Sequence, residues 1–238
     1  MTKLSKTFVR RMESQLPGFT RSGMTFLQHD GVVVRSYLID TTPSFFRLYE
    51  NLTLLAYRPD LSILACADRI AEVERDADRD DVERIISEAI SSREADVARK
   101  NSLARLIQRQ ASQCETLDAS KSSPGKVYGQ PRTYLEYTMA LLLSGDALGC
   151  ERAMVETIAL LAFHHDGVDP RGSVLAENGI RLGTSLPYRV AYPFRDFELQ
   201  VMQDALTFCI EFERDANQVR DALLVDADRN VERLLASA

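Results

Sequence analysis

Hydrophobic positions along this chain change their period twice. Leu4, Phe8, Val9, Met12 and Leu16 recur at helical spacing, with Lys3, Lys6, Arg10 and Arg11 mostly on other faces. Lys3 to Leu16 therefore reads as an amphipathic helix stopped by Pro17-Gly18. The period then falls to two. Met24 to His29 and Val32 to Ile39 flank Asp30-Gly31, a pair suited to a primed hairpin turn, and Phe45 to Tyr57 alternates Phe46, Leu48, Leu52, Leu54 against Arg47, Tyr49, Asn51, Thr53. From Pro59 the apolar spacing returns to nearly four. Leu61 to Asp76 carries Ile63, Ala67, Ile70 and Val73 on one stripe. Asp80 with Glu83, then Ser91 with Glu94, read as capping boxes opening helices over Val82 to Ile90 and Ala95 to Leu117.

Pro131 to Phe163 is the most apolar stretch. Helix formers on both sides of Ser144-Gly145-Asp146 predict an antiparallel helical hairpin, and its second arm is apolar nearly all round. That apolar run is too short to cross a bilayer and suits a buried core helix. Phe197 to Phe212 and Val219 to Leu235 predict two amphipathic helices, or one long bent helix. Together these elements predict an α+β, mostly α protein: an N-terminal helix and three-stranded antiparallel meander, then a bundle of about six to seven helices with a central hairpin. The expected division is 1–118, a loop or linker at 119–132 rich in Ser, Gly and Pro, and 133–238, with one continuous domain as the alternative.

The segment Gly18-Phe19-Thr20-Arg21-Ser22-Gly23-Met24-Thr25-Phe26 resembles the start of a group of bacterial domains. These open with a helix followed by Gly-Phe-x-(Arg or Lys)-x-Gly-x-x-Phe and an antiparallel sheet. The resemblance covers about the first sixty residues and implies no activity.

Composition narrows the function classes. With 238 residues and 45% hydrophobic content the chain can bury a core without staples. Cys66, Cys114, Cys150 and Cys209 are scattered, with no CxxC, so zinc ribbons and thioredoxin-type motifs are excluded and a reducing cytoplasm is the expected compartment. The net charge of −6 argues against coating nucleic acid, although residues 1–60 hold eight Lys/Arg against five Asp/Glu, a net of +3 that leaves −9 for the rest. No membrane segment is expected.

Candidate chemistry is sparse. Asp76-x-Asp78-x-Asp80 has the spacing of a calcium loop but has Asp81 at its turn and Ser87 at its closing position, so an acidic helix start is the better reading. Ser120 to Val127 lacks the first Gly of a phosphate loop and the hydroxyl after its Lys. His164, His165 and Asp166 follow the apolar arm and have the residue types of a metal-dependent hydrolase; a helix C-terminus followed by a Gly turn explains them more simply. Glu136 and Glu156 sit at similar distances from the hairpin turn, with Arg152 placed to neutralise Glu156, and a structural ion pair outweighs acid/base chemistry. No GxGxxG and no GxSxG occurs, so neither cofactor nor resident metal is expected.

What remains is Asp166 to Arg195, thirty residues with four Gly and three Pro. It carries Arg171, Arg181, Tyr188, Arg189, Tyr192, Phe194 and Arg195, the types enriched at binding hot spots, although a packed connector would also use them. The leading expectation is a non-catalytic binding protein that meets another protein or an acidic ligand through this segment, by analogy a toxin-neutralising or regulatory protein. The alternative is a hydrolase built on His164, His165 and Asp166, with Glu156 beside them. A third reading is nucleic-acid binding through the basic helix with Arg21, Arg35 and Arg47.

Overall fold

The computed structural model describes residues 4–57, 68–97, 102–120, 131–154 and 196–237. The chain forms two compact units. The first holds Met1–Arg105 and Asp226–Ala238, the second Leu106–Val225.

The first unit starts with α1 (Lys6–Gln15). Ser5 caps it, its Oγ accepting from Phe8 N at 3.0 Å. The reciprocal half of this capping box comes from elsewhere: Ser5 N donates to Glu83 Oε1 at 2.8 Å. Gly18 at φ 83 turns the chain into a five-stranded antiparallel sheet of order β1 (Thr20–Ser22), β2 (Thr25–Asp30), β3 (Val33–Thr41), β4 (Phe45–Leu54) and β5 (Asp68–Glu74). Gly31, at φ 58, takes the left-handed position of the two-residue β2–β3 turn, where a Cβ would be strained. α2 (Arg79–Val97) follows, with Asp78 Oδ1 accepting from Asp80 N. Phe8 and Met12 of α1, with Val82, Ile86 and Ile90 of α2, pack with Phe26, Tyr37, Ile39, Phe46, Leu48 and Val73 in one core.

These findings correct the expected three-stranded meander followed by helices. The sheet has five strands, and the fifth comes from the stretch assigned to a helix over Leu61 to Asp76. The cause is a β-bulge. Ala71 pairs with Leu48 and Arg69 with Tyr49, so Ile70 has no partner. The extra residue lets Ile70 and Val73, three apart, both pack on the core, which imitates a helical stripe. β1 escaped notice because three polar residues carry no alternation. Ser91 starts nothing: α2 runs through it, and Glu94 is used by the sheet.

The second unit includes α4 (Pro131–Ser144), after α3 (Ser102–Ser120), whose first four residues belong to the first unit. α4 is buried on every side from Thr133 to Leu143 except at Tyr137. Its buried hydroxyls are satisfied: Thr138 Oγ1 donates to Tyr134 O at 2.7 Å and Tyr134 OH to Cys114 O at 3.3 Å. Gly145, at φ 89, ends the helix in a Schellman motif, with Asp146 N bonded to Leu141 O and Gly145 N to Leu142 O. Asp146 Oδ1 then caps α5, described over 147–154, by accepting from Gly149 N at 2.8 Å. α6 (Asp196–Arg214) packs on α4. α7 (Ala216–Ser237) follows after Asp215, which accepts from Asn217 N and Gln218 N. Within the first unit, Asn230 Nδ2 donates to the Leu55 carbonyl at 2.7 Å. Residues 121–130 of the expected linker lie outside the described residues.

Because the Ser5 hydroxyl satisfies Phe8 N at the start of α1, Ser5→Ala should lower unfolding stability by about 1 kcal/mol. Urea denaturation, with the midpoint shifting and the slope unchanged, checks this.

Candidate functional site

Alternation along β3 puts Val33, Arg35, Tyr37 and Ile39 on one face, and Ile39 and Tyr37 lie in the core with α1 and α2. Arg35 is therefore a cation on an apolar face. Its side chain is 5% exposed. Its register partners are Gln28 and Leu52, while Tyr37 sits between Phe26 and Glu50.

The charge is met locally. Arg35 Nη2 donates to Gln28 Oε1 at 3.0 Å and to Glu94 Oε2 at 2.9 Å. Tyr37 OH donates to the other Glu94 oxygen at 2.7 Å. The Phe19 ring stacks on Tyr37 at 5.8 Å and lies 4.8 Å beneath the Arg35 guanidinium. A second carboxylate, Glu50, is 2% exposed; it accepts from Arg105 Nη2 at 3.0 Å and lies 3.7 Å from Arg93 Nε. Close by in sequence, Asp30 Oδ2 accepts from Ser102 N at the start of α3. Burial, then the hydrogen bond to Glu94, then the Glu50 charge push the Tyr37 phenol far above its ordinary value, so it stays a neutral donor. Arg35 Nε and Arg105 Nη1 are buried without an acceptor.

Chemically, this arrangement clamps. Both oxygens of Glu94 and both of Glu50 face donors or cations, and the partners lie on β3, α2 and α3. A saturated carboxylate is a poor general base.

In the second unit, Glu136 Oε1 accepts from Arg132 Nε at 2.6 Å and Oε2 from Gln110 Nε2 at 3.2 Å. Burial raises its pKa above the usual 4.5, against the opposing pull of Arg132 and Gln110. Glu156, its expected companion, lies outside the described residues. So do His164, His165, Asp166, Arg171, Arg181, Tyr188, Arg189, Tyr192, Phe194, Arg195 and Cys66.

Other sequence candidates are dispersed. His29 is exposed near the end of β2, and Asp76, Asp78 and Asp80 are exposed. No cluster able to hold a metal occurs among the described residues. The three cations of the nucleic-acid reading do not act together: Arg21 pairs with Glu13, Arg47 with Glu72, and Arg35 is buried. A concavity of about 320 Å³ lies between Pro43, Ser44, Phe45 and Glu74, Arg75, Asp76. Arg75 is tied there to the turn, its N donating to Ser44 O and its Nη1 to Thr42 O.

The network of Arg35, Tyr37, Glu50 and Glu94 was missed on sequence, although parity marked it. Arg35 shares its strand face with Val33 and Ile39, and Glu50 shares its own with Leu48 and Leu52. No helix among the described residues is long and apolar enough to cross a membrane. Compared with family models, curated proteins and solved structures, the chain matches none of them.

Removing one side of the network should strand a buried charge. Glu50→Gln should cost about 3 kcal/mol and Glu94→Gln, 26% exposed, about 2 kcal/mol. Adding Arg35→Met to Glu94→Gln should recover part of that loss, whereas Arg84→Ala, an exposed pair, should change nothing measurable; guanidinium denaturation of the four variants reads this out. For Glu136 the sign is opposite to that of a salt-bridged carboxylate with a lowered pKa. Its folded pKa lies above 4.5, so the native state holds the proton more tightly and stability falls as pH rises through 4.5 toward the folded value. Glu136→Gln should lack that fall, so its stability relative to the parent should climb with pH across the window.

Proposed function

We propose that this chain is a non-catalytic binding protein of the cytoplasm that engages another protein or an acidic ligand through Arg171, Arg181, Tyr188, Arg189, Tyr192 and Arg195. The observation that carries the reading is the residue content of that stretch, where four guanidiniums and three aromatic rings, the types that dominate binding energies, fall within twenty-five residues. Supporting it, the carboxylates Glu50, Glu94 and Glu136 are each occupied by arginine. Cys114, Cys150 and Cys209 are free thiols in buried positions, and burial pushes Cys150 up to about 12, as suits inert thiols in a reducing compartment.

Arg181→Ala, Arg189→Ala and Tyr192→Ala combined should abolish recovery of partners from a native lysate while leaving the far-ultraviolet circular dichroism unchanged. Unchanged recovery removes the segment as an interface. The adjacent imidazoles of His164 and His165 with Asp166 favour a second reading, a metal-dependent hydrolase. Stoichiometric zinc, manganese or iron in the purified protein, lost in His165→Ala, would put that reading first.

A further inference from the structure

α1 has two unlike sides. Phe8 and Met12 are buried, whereas Lys6, Thr7, Arg10, Arg11, Glu13 and Ser14 are exposed. At 100° per residue, Lys6, Arg10, Ser14, Thr7 and Arg11 fall in one continuous arc. Glu13, at its margin, is taken by Arg21 at 2.9 Å. Lys6, Arg10 and Arg11 form no ion pair among the described residues, so this arc is a cationic face on a chain of net charge −6.

We infer that this face docks an extended acidic segment of a partner protein, in which Asp or Glu alternates with other residues. The inference rests on the reading of the chain as a binding protein but uses a surface separate from the Arg171 to Arg195 stretch. Spacing supports it. Lys6 and Arg10 are one turn apart, about 6 Å along the axis, and carboxylates two residues apart on an extended chain are separated by about 6.6 Å on the same side. The ten residues of α1 span about 15 Å, the length of four or five extended residues. A bilayer suits the face less well, because the apolar side that would insert is already in the core and three cations alone hold a lipid surface weakly. A nucleic acid also suits it less well, because three cations neutralise too few phosphates to hold one firmly at physiological salt.

The test is an NMR titration of the full chain with a seven-residue peptide in which Glu alternates with Ser. A second peptide of the same composition has its three Glu in a block. The alternating peptide should shift resonances from Lys6 to Ser14 only, bind more tightly than the block, and weaken roughly tenfold at about 0.5 M salt and in the K6E/R10E/R11E variant. The Arg181, Arg189 and Tyr192 variant should bind it as the parent does, which keeps failure of this surface separate from failure of the other. Equal binding of the two peptides, binding that survives charge reversal, or tighter binding to a single-stranded oligonucleotide or to phosphatidylserine vesicles would overturn the inference.

Discussion

A guanidinium placed in the middle of a buried strand must be neutralised where it lies, and much of the first unit follows from that requirement at Arg35. The apolar stripe Val82, Ile86, Ile90 determines which side of α2 meets the sheet, but greasy contacts are non-directional and tolerate sliding along the strands. Glu94, one turn beyond Ile90, removes that freedom by bonding Arg35 and Tyr37 together. Glu50 does the same for the chain that follows, holding Arg105 of α3 and facing Arg93 at the end of α2. Buried ion pairs add little net stability over apolar replacements, so their contribution here is to a single docking position.

The glycine-phenylalanine segment after α1 acquires a physical meaning in this setting. Gly18 adopts a backbone conformation that a Cβ resists, and this brings Phe19 under the Arg35 guanidinium and against the Tyr37 ring. Arg21 returns to Glu13 of α1, and Phe26 enters the core. Each apolar or charged member of the motif thus has an intramolecular contact.

What could be read from sequence was local. The 3.6-residue stripe of α1, the β2–β3 turn and the Gly145 stop each depend on a few neighbours; the first and last occur where expected, and the turn falls on Gly31-Val32, one residue beyond the expected Asp30-Gly31. What could not be read depended on distant partners. The bulge at Ile70 exists only against β4, so its strand looked helical in isolation. Ser91 with Glu94 satisfies the capping-box pattern, but Arg35 and Tyr37 compete for the same carboxylate and hold it within the last turns of α2. Glu83 likewise left its own helix start to complete the cap of α1.

The two buried polar clusters differ in the same respect. Glu136 is neutralised by Arg132 four residues earlier, a pair that any α-helix would bring together. The Arg35–Glu94 and Glu50–Arg105 contacts span 59 and 55 residues. Closing such distances costs chain entropy that one ion pair does not repay, so these bonds form only once the sheet and α2 are already packed. Glu136 therefore reports on a helix. Glu50 and Glu94 report on tertiary structure, and a sequence change that preserves every local pattern around them can still undo the first unit by removing a partner half a hundred residues away.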